Sequence, residues 1–177
     1  MVSKQGTGAA GFTLIEILVV LIVVGLLASL AVFTLGGSSQ QRQLENQVQE
    51  LYLLMQTAGD QAVLNNQELG VTVNEDGYQF LAFQDQKGDW KPEDQRLFSA
   101  RTFPDWLVVT KFIENDAPKL ASGEDRTLPD IVFFSSGETT PFQVEFTVAG
   151  NPDQKQILES DGVSGVQWRK PGEEADR

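Results

Sequence analysis

The chain is 177 residues long, with 25 Asp and Glu against 13 Lys and Arg, a formal net charge of -12, and neither cysteine nor histidine. That inventory excludes zinc sites of the Cys/His kind, thiol nucleophiles and Ser-His-Asp triads, and removes the usual general base near neutral pH. So acidic a chain neutralises phosphate poorly, which argues against nucleic acid as its main partner; its length leaves room for one modest domain plus a membrane segment.

Residues 1–11, MVSKQGTGAAG, are polar and glycine-rich, with Lys4 the single charge. From Phe12 the chain turns apolar, and Glu16 is the only charge before Arg42. Ile17 to Leu35 alone make 19 residues, close to the roughly 20 that a membrane-spanning helix needs. Its β-branched residues are no obstacle, because lipid leaves helix as the conformation that satisfies the backbone of a single segment. A secretory signal would place several positive charges before a shorter apolar core and a cleavage site after it. Here the apolar core is long, and the candidate processing site precedes it. Gly36-Gly37-Ser38-Ser39 is a loosening point, a kink or a break, since two glycines cost about 2 kcal/mol of helix propensity against alanine. Beyond it Leu44, Val48, Leu51, Met55, Ala58 and Ala62 recur at helical spacing. They form one apolar stripe that needs a surface to cover.

Strand patterns follow. GVTVN and YQFLAF flank Glu75-Asp76-Gly77, a hairpin signal. The polar stretch QDQKGDWKPEDQ reads as an exposed loop, with Trp90 in it a candidate partner contact. Further strands are expected at Leu97–Thr102, Trp106–Glu114, Ile131–Phe134, Phe142–Val148 and Gln156–Glu159, and a short terminal one at Val163–Trp168. Trp106, within a hydrophobic strand, is assigned to the core. NDAPKLASGEDRTLPD and AGNPDQ are turn-rich, and the tail KPGEEADR reads as disordered. The acidic residues Glu124, Asp125, Asp130, Asp153 and Asp161 lack the spacing of an EF-hand and read as solvated turns. No metal and no cofactor is expected. The fold class is α+β: a long N-terminal helix, its first half membrane-spanning, packed on an antiparallel β-sheet head.

Gly11-Phe12-Thr13-Leu14-Ile15-Glu16, after a short charged leader and before a long apolar helix, resembles the type IV pilin class, which includes the type II secretion pseudopilins. The resemblance implies that a membrane-bound prepilin peptidase cuts between Gly11 and Phe12, and that Phe12 becomes N-methylated. It also gives Glu16 a role. A carboxylate in hydrocarbon costs roughly 2.5–3.5 kcal/mol on insertion scales, which favours pairing or protonation. The amine freed at Phe12 of the next subunit is the complementary charge, and such a pair sets axial register rather than adding net stability. The proline that many pilins carry in this helix is missing between Phe12 and Gly37, leaving Gly25 and Gly36-Gly37 as its weak points.

A second resemblance is narrower. IVFFSSGETTPF, Ile131 to Phe142, is similar to the strand–turn–strand of the GspH (XcpU-like) group of minor pseudopilins and their FimT-like relatives. It implies a subunit assembled near the tip of the periplasmic pseudopilus that drives protein export across the outer membrane. Such a subunit crosses the bacterial inner membrane once, with its N-terminus cytoplasmic and its C-terminal domain periplasmic. Implied partners are the other minor and major pseudopilins, the prepilin peptidase, the secretin and the secreted substrates; no catalysis is expected. Glu16 does not fit the subunit that caps the extreme tip, which lacks this glutamate. The alternative is a FimT-like minor pilin of a type IV pilus or DNA-uptake system, against which the acidic charge counts. The divisions expected are a removed leader at 1–11, a transmembrane and polymerisation helix at 12–37, its amphipathic continuation at 38–66, a periplasmic β-rich head at 67–168 and a tail at 169–177.

Overall fold

The computed structural model describes residues 13–113 and 128–173, except for the side chains of 28–38. Gly11 and Phe12, Glu124 and Asp125, and the end of the tail lie outside the described residues. The chain divides into two compact units, Met1–Gln40 and Gln41–Arg177.

Helix α1 runs Leu14–Asn65. It takes in Gly36-Gly37, so the glycine pair does not end it. Two glycines cost about 2 kcal/mol, which helix propagating on both sides offsets. What ends α1 is Asn66, whose φ of 50° is left-handed. Its N–H donates to the Val63 carbonyl at 3.4 Å and that of Gln67 to the Ala62 carbonyl at 3.1 Å, the two bonds of a Schellman motif.

Two antiparallel sheets make up the rest. The first holds β1 (Leu69–Asn74), β2 (Gly77–Gln84), β3 (Asp89–Pro92), β4 (Arg101–Thr102) and β6 (Ile131–Phe133), in the order β3-β2-β1-β6 with β4 also paired to β2. The second holds β5 (Leu107–Ile113), β7 (Phe142–Val148), β8 (Asn151–Ser160) and β9 (Gln167–Arg169), in the order β5-β7-β8-β9. The hairpin expected at Glu75-Asp76-Gly77 is present, with Asn74 opposite Gly77. The strands around Ile131 and Phe142, however, do not pair with each other. Pro141 lacks a donor, and Thr140 instead gives its N–H to the Val132 carbonyl at 2.9 Å, so the turn carries the chain from one sheet to the other.

The helical stripe is the centre of the core. Leu44, Val48, Leu51, Met55, Ala58 and Ala62 are each 1% exposed or less. They share one cluster with Val71, Val73 and Phe80 of the first sheet and Val144, Phe146 and Leu158 of the second. Phe98 packs 4.9 Å from Phe80, and Phe103 lies 5.9 Å from Phe146, linking the two sheets. Phe98 sits on a 3-10 turn, Arg96–Phe98. The strand expected at Leu97–Thr102 is thus reduced to β4, because burying Phe98 takes a turn there. β8 is longer than expected, since only Ala149-Gly150 makes the turn and Val148 pairs directly with Asn151. Trp106 precedes β5 and is half-buried against the core.

Trp90 departs from its expected place. It lies on β3 at 6% exposure and covers the outer face of the first sheet with Leu81 and Val132, its ring 5.3 Å from Phe83. Gly70 makes room for it. A Cβ there would stand 2.5 Å from the Pro129 side chain and 3.1 Å from the Trp90 ring. A polar loop by composition is therefore a strand because one aromatic ring has an apolar surface to cover.

Two expected outcomes follow from this packing. At Gly77 a Cβ would collide with the Arg101 carbonyl oxygen and sit 2.9 Å from Thr102 Cα. Gly77→Ala is expected to lower the stability of the unit Gln41–Arg177 by about 2 kcal/mol or more, read from the urea midpoint. Tyr78 is buried, its hydroxyl has no hydrogen-bond partner among the described residues, and burial followed by the Glu50 charge pushes the phenol well above its usual range. The folded chain holds that proton more tightly, so this contribution is fully present below about pH 10 and is lost as pH rises further. Tyr78→Phe is expected to leave stability at neutral pH unchanged or higher and to flatten the loss above about pH 10, measured by urea unfolding across that range.

Candidate assembly surfaces

The N-terminal end of α1 is built by its first residues. Thr13 precedes the helix, and the backbone N–H of Glu16 donates to the Thr13 carbonyl at 3.1 Å and to Thr13 Oγ1 at 3.3 Å. Thr13 and Glu16 thus stand as N-cap and third helical residue, the spacing of a capping box. A carboxylate in the first turn is also favoured by the helix dipole. Glu16 therefore has a local reason to occur that the sequence reading passed over, although Thr-x-x-Glu was legible. Its side chain is exposed and has no ion-pair partner among the described residues.

From Leu14 to Leu27 every large apolar side chain is 47–85% exposed. The apolar surface goes all the way round the helix instead of forming a stripe, and the described residues of that unit offer nothing to cover it. A helix apolar on all sides belongs in lipid or among other helices. Among the described residues no helix is long and apolar enough to cross a membrane. The described side chains of the greasy run stop at Leu27, short of the roughly 20 residues a span needs.

In the second unit, polar and aromatic contacts fasten the sheets to α1. Trp168 lies 5.8 Å from Tyr52, and Lys170 Nζ sits 4.5 Å above the Trp168 ring and 3.0 Å from Glu45. Arg101 pairs with Glu50 at 3.2 Å. Exposed pairs of this kind each contribute well under about 1 kcal/mol, so their effect is to set position.

Two of the acidic candidates, Asp130 and Asp161, have structural duties. Asp130 accepts from the Val73 N–H at 2.8 Å and from Lys111 Nζ at 2.9 Å. Asp161 accepts from the N–H groups of Ser164 and Val163 and from the Ser164 hydroxyl, and these bonds hold its carboxyl down at about 2. Asp153 is exposed on β8. Among the described residues no group of three or more acidic side chains is placed to hold a metal ion. Five of the nine Lys and Arg among the described residues are spoken for: Arg101, Lys111, Lys155, Arg169 and Lys170 each face a carboxylate within 3.2 Å. These pairs reduce the positive charge left to meet phosphate, in a chain whose net charge is already -12.

Known proteins match both units. Residues 47–162 fit the family of the type II transport protein GspH, and residues 7–32 fit the prokaryotic N-terminal methylation motif. The type II secretion system protein H of Pseudomonas aeruginosa is 32% identical over 161 residues, which cover 86% of this chain and 91% of that protein. Its counterpart in Aeromonas hydrophila is 28% identical over 149 residues, 78% of this chain and 80% of that one. Among solved structures, the minor pseudopilin EpsH of Vibrio cholerae aligns with a TM-score of 0.56 at 21% identity, over 71% of this chain and 94% of that one. The E. coli GspH structure aligns with the same score at 16% identity, over 77% and 94%. These structures share the fold: a helix whose later part packs on antiparallel sheets. With its N-terminal methylation motif and a head matched by the GspH family, the chain belongs to that family, the minor pseudopilins of type II secretion.

Proposed function

We propose that this minor pseudopilin is inserted in the inner membrane, processed between Gly11 and Phe12, and assembled near the tip of the periplasmic pseudopilus. Prepilin peptidase removes the leader 1–11 and methylates the new amine at Phe12. The helix 12–37 crosses the membrane once, with the N-terminus cytoplasmic, and the continuation 38–66 enters the head, 67–168, on the periplasmic side, with the tail at 169–177. The head acts by presenting a surface and not by catalysis. Other pseudopilins are its immediate partners; the secretin and the secreted substrates are the further ones.

The observation that carries this reading is the helix from Leu14 to Leu27, exposed on every side yet apolar but for one carboxylate. Such a surface is stable only among lipids or neighbouring helices. Within either, Glu16 needs a positive partner, and the amine at Phe12 of an adjacent subunit supplies one after cleavage. The capping box at Thr13 accounts for a Glu at this position in an isolated helix, so the two roles call for separate tests.

Glu16→Gln keeps a capping-box residue and removes the charge, whereas Glu16→Ala removes both. Both variants are expected to be cleaved normally and to assemble poorly, scored by incorporation into the sheared pseudopilus and by secretion. Normal assembly of the Gln variant would sink the charge-pair role. At the processing point, Gly11→Ala is expected to be tolerated better than Gly11→Val, which should leave the leader attached. A mature mass unchanged in the Val variant would count against cleavage there.

A further inference from the structure

Sheet edges carry unpaired N–H and C=O groups, which folded proteins blunt with short strands, charge, proline or a covering segment. The described residues do this at most of the edges. β3 is four residues long and contains Lys91 and Pro92. The outer side of β6 is tied down by the Thr140–Val132 bond and by a bridge between Phe133 and Thr139. β9 is three residues long and is followed directly by Lys170 and Pro171.

β5 is different. It has seven residues, LVVTKFI, and among the described residues pairs only with β7. Val108 is 43% exposed and Phe112 56%. Its one charge, Lys111, would ordinarily discourage an incoming strand, but Asp130 neutralises it at 2.9 Å. Beside Leu107, Val108 and Val109 lies a groove of about 740 Å³ whose wall includes Glu75, Asp76 and Asp105. None of these three carboxylates has an ion-pair partner among the described residues.

We propose that the edge of β5 away from β7, which the described residues leave unpaired, accepts an extended segment of a partner protein, apolar at alternate positions and carrying a lysine or arginine that seats among Glu75, Asp76 and Asp105. Backbone hydrogen bonds along the edge supply affinity, and Val108 and Phe112 supply cross-strand apolar contacts. The groove lies at the Leu107 end, so the basic residue fixes the register of the added strand. A second copy of this chain is the wrong occupant, because it brings the same net charge of -12 to an acidic groove. The surface is independent of the processing point and of Glu16.

The test places a benzophenone amino acid at Thr110, an exposed position on β5, in the full chain in cells with a complete secretion apparatus. Mass spectrometry of the photoproduct identifies the segment captured. A single extended segment with a Lys or Arg is expected, its yield falling about tenfold when Glu75→Lys and Asp105→Lys are combined at unchanged melting temperature. If that double variant melts lower, the isosteric pair Glu75→Gln and Asp105→Asn replaces it, with a smaller fall expected. The proposal is overturned by an absent product, by capture of this chain's own residues 114–127 or of a second copy, or by a yield indifferent to these charges. Because the readout is contact, the result stands whether or not the Glu16 variants assemble.

Discussion

The structure depends on one act of burial: a single helical stripe closing two sheets at once. Leu44, Val48, Leu51, Met55, Ala58 and Ala62 meet side chains from both sheets in one cluster. Each large apolar side chain so buried contributes about 1.5–3 kcal/mol, and a domain without cysteine has no covalent alternative. The two alanines let the sheets approach the later turns of α1 closely; Phe133 reaches within 3.8 Å of where a Cβ would stand on Gly59. Much else exists to serve that contact: the 3-10 turn that delivers Phe98, the crossing at Pro141 that moves the chain between sheets, and the contacts from β9 that hold it against the helix.

One helix therefore carries two hydrophobic codes. From Leu14 to Leu27 it is apolar on all sides, and from Leu44 to Ala62 on one side. The first pattern suits a surrounding that is apolar everywhere, the second a boundary between core and water. The acidic balance of the head adds to this division. Its ion pairs consume basic groups, so the surface left over is negative, which keeps the head soluble and repels copies of itself at a distance.

Most of the helix and its buried stripe are legible in the sequence because their signals are periodic. The stripe was read residue for residue, and the hairpin at Glu75-Asp76 follows from local turn chemistry. What escaped depends on contacts between distant residues. Nothing near Trp90 says that Gly70 and Pro129 lie across from it, so a polar neighbourhood pointed to a loop. Likewise β6 and β7 look like a hairpin by pattern, and only the bonds of Thr140 and the absent donor of Pro141 send them to separate sheets. At the N-terminus the cap at Thr13 is legible as Thr-x-x-Glu, a local role for Glu16 separate from charge pairing. The position of β5 at the edge of the described sheet has no sequence signal, since an edge is a property of strand order.

The return of β9 to α1 has a mechanical consequence. Lys170 is within an ion pair of Glu45, and Gln41 reaches the Gln154 carbonyl at 3.4 Å, so the head's chain starts and finishes on the same side. The stretch of α1 from Gln41 to Tyr52 is thus held to β8 and to the end of the chain by the Gln41–Gln154, Glu45–Lys170 and Tyr52–Trp168 contacts, so a load on that stretch bears on all three. The two ends of the head's chain are in effect clasped to each other.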